Sequence, residues 1–214
     1  QITAVGVFSE PWANDAAEIA AIRKPDTWSP STIDFIAVAV NSRSARSRVV
    51  REVDATESFL HLILDQKPNS IGRINLITHG NTSSIALSGE VISGNVLFDD
   101  ELDIGVLAGY LQTGIPYKGR TLYWTELENR FADNAVLVVY ACKAGLSESF
   151  VQDLADFFDI RVQGFKHELK YVYPENALAG GVIRRNLITV DGVKDFLDLV
   201  PEIDKSPSLK NPFK

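Results

Sequence analysis

Three short, almost unbroken apolar runs set the frame for this chain: 33–40 (IDFIAVAV), 74–78 (INLIT) and 135–141 (AVLVVYA). Each is rich in β-branched residues, and none shows the regular polar alternation of a half-solvated strand. Such runs read as strands buried on both faces, the pattern of a parallel sheet covered by helices. They are also too short for a membrane helix, which needs about 20 apolar residues.

Amphipathic segments lie between the runs. Asp54-Ala-Thr-Glu57 fits a capping box, with Asp54 at the N-cap and Glu57 at N3. The helix it opens should reach about Gln66, with Phe59, Leu62 and Ile63 on one face, and Pro68-Asn-Ser ends it. Ser147 is placed to cap a second helix, SESFVQDLADFF. Weaker patterns suggest strands at 2–8, 49–53, 160–164, 171–173 and 182–183. Short helices are suggested after Asn14, at 105–112, at 126–130 and at 195–200. A hairpin is expected from 85–87 and 91–92 around Ser88-Gly89, and 25–32, 42–47 and the acidic 99–103 (DDELD) read as loops.

Strands alternating with helices imply parallel crossovers, hence a three-layer αβα sandwich around a mostly parallel sheet. The pattern predicts one domain over 1–200. The stretch 201–214, with three Pro and three Lys, reads as a tail or linker. At 214 residues and 45% apolar, the chain is long enough to bury a core without staples. Its net charge of −7 argues against a protein built to bind nucleic acid. The start Gln-Ile-Thr-Ala has neither Met nor a signal-peptide pattern, and Met is absent throughout, so an excised piece of a longer chain is expected. Secreted, effector-type and cytoplasmic placements all stay open.

The one cysteine, Cys142, excludes an intramolecular disulfide and any zinc site built on two Cys ligands. It follows the strand 135–141, just as His79 follows 74–78. In an open α/β sheet, chemistry sits at the carboxyl ends of the strands, and both residues fall there. A lone Cys at a strand end can equally be inert core, and a lone His can simply cap a carbonyl. A helix N-terminus after Cys142 would lower the thiol pKa, as would Lys143 if its amine pointed inward, although a solvated Lys143 is the plainer reading. Gly80 lets the chain turn and leaves an N–H approachable, which an oxyanion hole requires. His61 and His167 read as bystanders. No nucleophile elbow, P-loop, dinucleotide fingerprint or EF-hand spacing is present, so neither metal nor cofactor is expected.

INLITHG followed by AVLVVYACKAG resembles the caspase-like cysteine peptidases (clan CD). Their mark is an apolar strand ending in His-Gly and a later one ending in Ala-Cys. ITHGNTSSIALSG and FVQDLADFFDIRV are similar to the caspase-like modules of large secreted bacterial proteins, and the likeness covers about 33–172. The resemblance implies a cysteine endopeptidase acting on, or processing itself as, a protein substrate. Cys142 matches its nucleophile, His79 its histidine and Gly80 its oxyanion-hole glycine.

Two residues before the Cys, many members carry Asp, Glu or Gln in the specificity pocket, where this chain has Tyr140. Substrate-binding candidates are thus Tyr140, Arg43 and the segment 162–166. Arg43 would suit an acidic side chain before the scissile bond. The acidic loop 99–103, folded over the site, would suit a basic one, which is the expected preference. Two other readings stand beside the peptidase: a catalytically silent binding or scaffold module, and another thiol-dependent acyl transferase. No nucleic-acid or membrane partner is expected.

Overall fold

The computed structural model describes residues 1–9, 49–92, 95–172, 187–191 and 199–214. The helix expected after Asn14, the strand 33–40, the loops 25–32 and 42–47 with Arg43, and the strand 182–183 lie outside them. So do Tyr173 and 195–198.

The chain is mixed α/β around a curled, mostly parallel sheet. β1 (Ile2–Ser9) is its hub, pairing in parallel with β2 (Val49–Val53), β3 (Ile71–Ile77) and β4 (Ile85–Ile92). β2 takes one flank of β1 as far as Gly6, and β4 takes over from Val7. This change of partner along a single strand curls the sheet. Beyond β3 come β8 (Phe131–Tyr140) and β9 (Arg161–Gly164), both parallel. Antiparallel strands close both ends: β5 (Asn95–Leu102) on β4, and β12 (Ile203–Lys205) on β9.

The connecting helices are α1 (Thr56–Leu64), α2 (Ile104–Thr113), α3 (Trp124–Glu128) and α4 (Glu148–Phe158). An antiparallel hairpin, β6 (Ile115–Tyr117) and β7 (Arg120–Leu122), joins α2 to α3. A separate parallel pair consists of β10 (Glu168–Val172) and β11 (Leu187–Asp191).

Period-two alternation splits the sheet residues between two faces. Ile2, Ala4, Ile74, Leu76, Leu137 and Val139 join one core with the buried sides of all four described helices. On the opposite face Thr3, Val5, Asn75, Ile77, Val138 and Tyr140 are buried too. Burial on both sides is why 74–78 and 135–141 are apolar without alternation.

Several local expectations are corrected. α1 is capped at Ala55, not Asp54. Ser58 Oγ accepts from the Asp54 and Ala55 N–H groups at 3.0 Å each. Asp100 Oδ1, from β5, takes the Thr56 N–H at 3.0 Å. Ser58 thus does what Glu57 was expected to do, and a partner remote in sequence satisfies a further orphan donor of the first turn. The acidic stretch 99–103 is accordingly no loop. It belongs mostly to β5, and Asp103 caps α2 by accepting from the Val106 N–H at 2.8 Å. Ser88-Gly89 lies within β4, at an irregularity in its pairing with β5, rather than at a hairpin tip.

Residues 201–214 do not behave as a linker. They supply β12, and beyond it Phe213 stacks on Phe157 at 3.8 Å between ring centroids. Residues 199 and 200 are not helical. No helix among the described residues is long and apolar enough to cross a membrane.

Candidate active site

β3 and β8 are neighbours, with Ile77 opposite Tyr140 in their register. The ladder runs one step further, since the Thr78 N–H donates to Tyr140 O at 3.1 Å. Two residues on along each strand come His79 and Cys142. Parallel neighbours lie about 4.8 Å apart, so the register leaves these two residues level at adjoining carboxyl ends.

Gly80 tightens this junction. A Cβ built on it would sit 2.9 Å from Ala141 Cβ and 3.4 Å from Cys142 O. Only a residue without a side chain lets the two strand ends approach so closely without displacement. Gly80 also faces Ile85 in an isolated antiparallel bridge. That bridge is closed by Ala86 N–H to His79 O and by Asn81 N–H to Ser84 O, each 3.1 Å, and it leaves the Gly80 N–H unused. Among the described residues, no acceptor is paired with the backbone N–H of Gly80 or of Cys142. The turn is held by Asn81 Oδ1, which accepts from the Ser83 and Ser84 N–H groups at 2.8 and 2.9 Å. This is the local backbone bonding for which Asn is favoured in turns.

The His79 ring packs edge-on against Phe8, with centroids 4.5 Å apart. Phe8 is fully buried near the end of β1, so the imidazole rests on a fixed apolar wall. Cys142 is half-buried, and its Sγ–H donates to Leu169 O at 3.6 Å. Burial, foremost, pushes its thiol pKa up, and the Glu168 carboxylate adds to this. The lowering expected from the helix N-terminus is therefore outweighed. Lys143 does not turn inward either. It adopts a positive φ of 58° and its Nζ pairs with Glu168 at 2.7 Å.

Tyr140 does not line an open pocket. It is 1% exposed, its ring lies against Phe165, and its hydroxyl accepts from Arg73 Nη2 at 3.1 Å, back along the strands from the His79–Cys142 edge. Asp100 and Asp103, engaged at helix N-termini, are not folded over the thiol as the acidic-loop reading required. His61 stays away from the site, on α1, where its ring meets Tyr117 and Glu57. Arg43 lies outside the described residues. No group of three or more His, Cys, Asp or Glu among the described residues is arranged to hold a metal ion.

No family model, curated protein or solved structure matches this chain.

One component of the site is invisible in the sequence pattern. Residues 165–169 run alongside the Cys142 turn: Lys143 N–H donates to His167 O at 3.1 Å, and Gly145 N–H to Phe165 O at 2.9 Å. A side chain at Gly145 would press on the Phe165 backbone at 3.0 Å. His167, a bystander by sequence, thus contributes its backbone to the surroundings of the thiol. Its ring Nδ1 meets Glu202 Oε1 at 2.5 Å. No motif marks this contact, because it joins three segments distant in sequence.

Proposed function

We propose that this chain is a caspase-like cysteine endopeptidase that uses His79 and Cys142 to cleave, or to process itself as, a protein substrate. The observation that carries the reading is the register of β3 and β8, with His79 and Cys142 level at adjoining carboxyl ends. The Gly80 and Cys142 N–H groups, which have no acceptor among the described residues, support it. The three-layer αβα arrangement belongs to the same proposal, with the described helices forming one outer layer.

In this reading Cys142 gives up its proton to His79, and its thiolate attacks the carbonyl carbon of the scissile peptide. The Gly80 and Cys142 N–H groups donate to the oxygen that becomes negative. His79 protonates the leaving amine as the C–N bond breaks, leaving an acyl-thioester on Cys142. Water, deprotonated by His79, then attacks the thioester, releasing the acid and restoring the thiol.

The test is hydrolysis of a mixed peptide library, read by mass spectrometry. Cys142→Ala and His79→Ala should each lower kcat/KM by roughly 10³ or more, as for residues acting as a unit. Unchanged cleavage in either variant would refute the assignment. The half-buried, carbonyl-bonded thiol favours one other reading, a silent binding module of the same fold. That module would cleave nothing in the library.

A further inference from the structure

We propose that residues 166–169 form a latch over Cys142, hinged at the buried Phe165, and that a peptide reaches the thiol only when this segment swings away. The inference rests on the peptidase reading for its purpose, though not for its geometry.

The latch runs antiparallel to the Cys142 turn. The paired residues are 167 with 143 and, at the hinge, 165 with 145, so its backbone bonds to the turn as an added strand would. Further along, Leu169 O lies 3.6 Å from Sγ. A scissile carbonyl carbon must come within about 3–3.5 Å of the attacking atom. The Leu169 peptide group already occupies that space, and a substrate cannot share it.

The latch is fastened from outside. Glu202 Oε2 accepts from the Lys166 and His167 N–H groups at 2.7 and 3.2 Å, while Oε1 meets His167 Nδ1. The Glu202 N–H in turn donates to Gly164 O at 3.0 Å. On the other side Glu168 pairs with Lys143, the residue following the thiol. One carboxylate of the C-terminal stretch thus gathers three donors from two consecutive residues of the latch. These groups lie at the surface, where ion pairs hold weakly. Opening the latch requires release of Glu202, of Glu168 and of the Lys143–His167 backbone bond, while Phe165, 0% exposed against Tyr140, stays in the core as its hinge.

Cys142 is the only cysteine, so every alkylation event reports on it. The experiment is the rate of iodoacetamide labelling, followed by intact mass, of the wild-type chain folded and in urea, of Glu202→Ala and of Glu168→Gln. The folded wild type should label far more slowly than the unfolded chain. Glu202→Ala should label roughly tenfold faster or more than the folded wild type, for the loss of charge-assisted hydrogen bonds. Glu168→Gln, an exposed change that leaves the core intact, should label a few-fold faster.

Folded wild type labelling as fast as the unfolded chain would overturn the latch. So would a Glu168→Gln rate equal to the wild type's, whether or not Glu202→Ala folds. Fast labelling of Glu202→Ala without peptide hydrolysis would contradict the peptidase reading alone.

Discussion

The two ends of the central strands β3 and β8 are built on opposite terms. At the amino ends the flanking segments are tied down by hydrogen bonds and ring packing, beside a cleft of about 530 Å³ lined by Phe131, Asn134, Asp159 and Arg161. Asn69 N–H donates to Asn129 O, and the Ser70 and Ile71 N–H groups both donate to Arg130 O. Trp124 Nε1 donates to Phe157 O at 2.7 Å, and Phe213 stacks on Phe157. Ser208 N–H and Oγ both bind the buried Asp156 carboxylate, and Lys214 meets Asp159 at 2.6 Å. At the carboxyl ends, the Gly80 and Cys142 N–H groups have no acceptor among the described residues. The thiol there is covered by backbone from a different segment rather than by core side chains. Leaving backbone donors unmade is costly. The contrast teaches that one edge is finished as structure and the other is held ready for chemistry.

That contrast can be broken in steps of decreasing size. Trp124→Ala removes a 7% exposed ring and its hydrogen bond from the tied-down edge. It should cost about 3–5 kcal/mol in urea denaturation while leaving the labelling rate of Cys142 in the folded fraction unchanged. If labelling rises with it, the two edges are not independent.

Gly80→Ala acts on the open edge, pressing a methyl against Ala141. A cost of about 1–3 kcal/mol is expected. It should bring a loss of peptide hydrolysis larger than that of Trp124→Ala under conditions where both chains are fully folded. Equal hydrolysis in the two variants would show that the close approach at Gly80 is not needed to aim its N–H for chemistry.

Lys214→Ala has the smallest effect. The Lys214 pKa is raised, first by its bond to Asp159. A group whose folded pKa is raised contributes stability below its unfolded pKa, and this is lost as pH rises through the folded value. The pair is about half exposed, so a cost of about 0.5 kcal/mol at neutral pH is expected. The difference from wild type should fade in strongly alkaline solution, and a difference that grows there would contradict the assignment.

The sequence made the central strands legible because burial on both faces removes the polar alternation, and 74–78 and 135–141 needed nothing else. The placement of His79 and Cys142 at strand ends followed from the same runs. What stayed hidden depends on distant partners. The capping role of Asp100 requires β5 to lie against the start of α1, and DDELD alone reads as solvated. The pairing of residues 201–214 with β9 and α4 rests on a three-residue strand and on scattered contacts such as Phe213 with Phe157 and Ser208 with Asp156, which carry no periodic signal. The cover over Cys142 has the same origin. A helix dipole after Cys142 would lower the thiol pKa, but burial, foremost, and the Glu168 carboxylate push it up, and neither is legible in the motif.

The central claim is that His79 and Cys142 act together. Its most direct test is the pH profile of Cys142 alkylation, measured in the wild-type and Glu202→Ala chains with and without His79→Ala. An imidazole acting on the thiol makes thiolate available at lower pH. In Glu202→Ala, labelling should therefore begin to rise below the ordinary cysteine range. Adding His79→Ala should move that rise upward and slow labelling at neutral pH. Profiles that superimpose with and without His79, in both chains, would contradict the account.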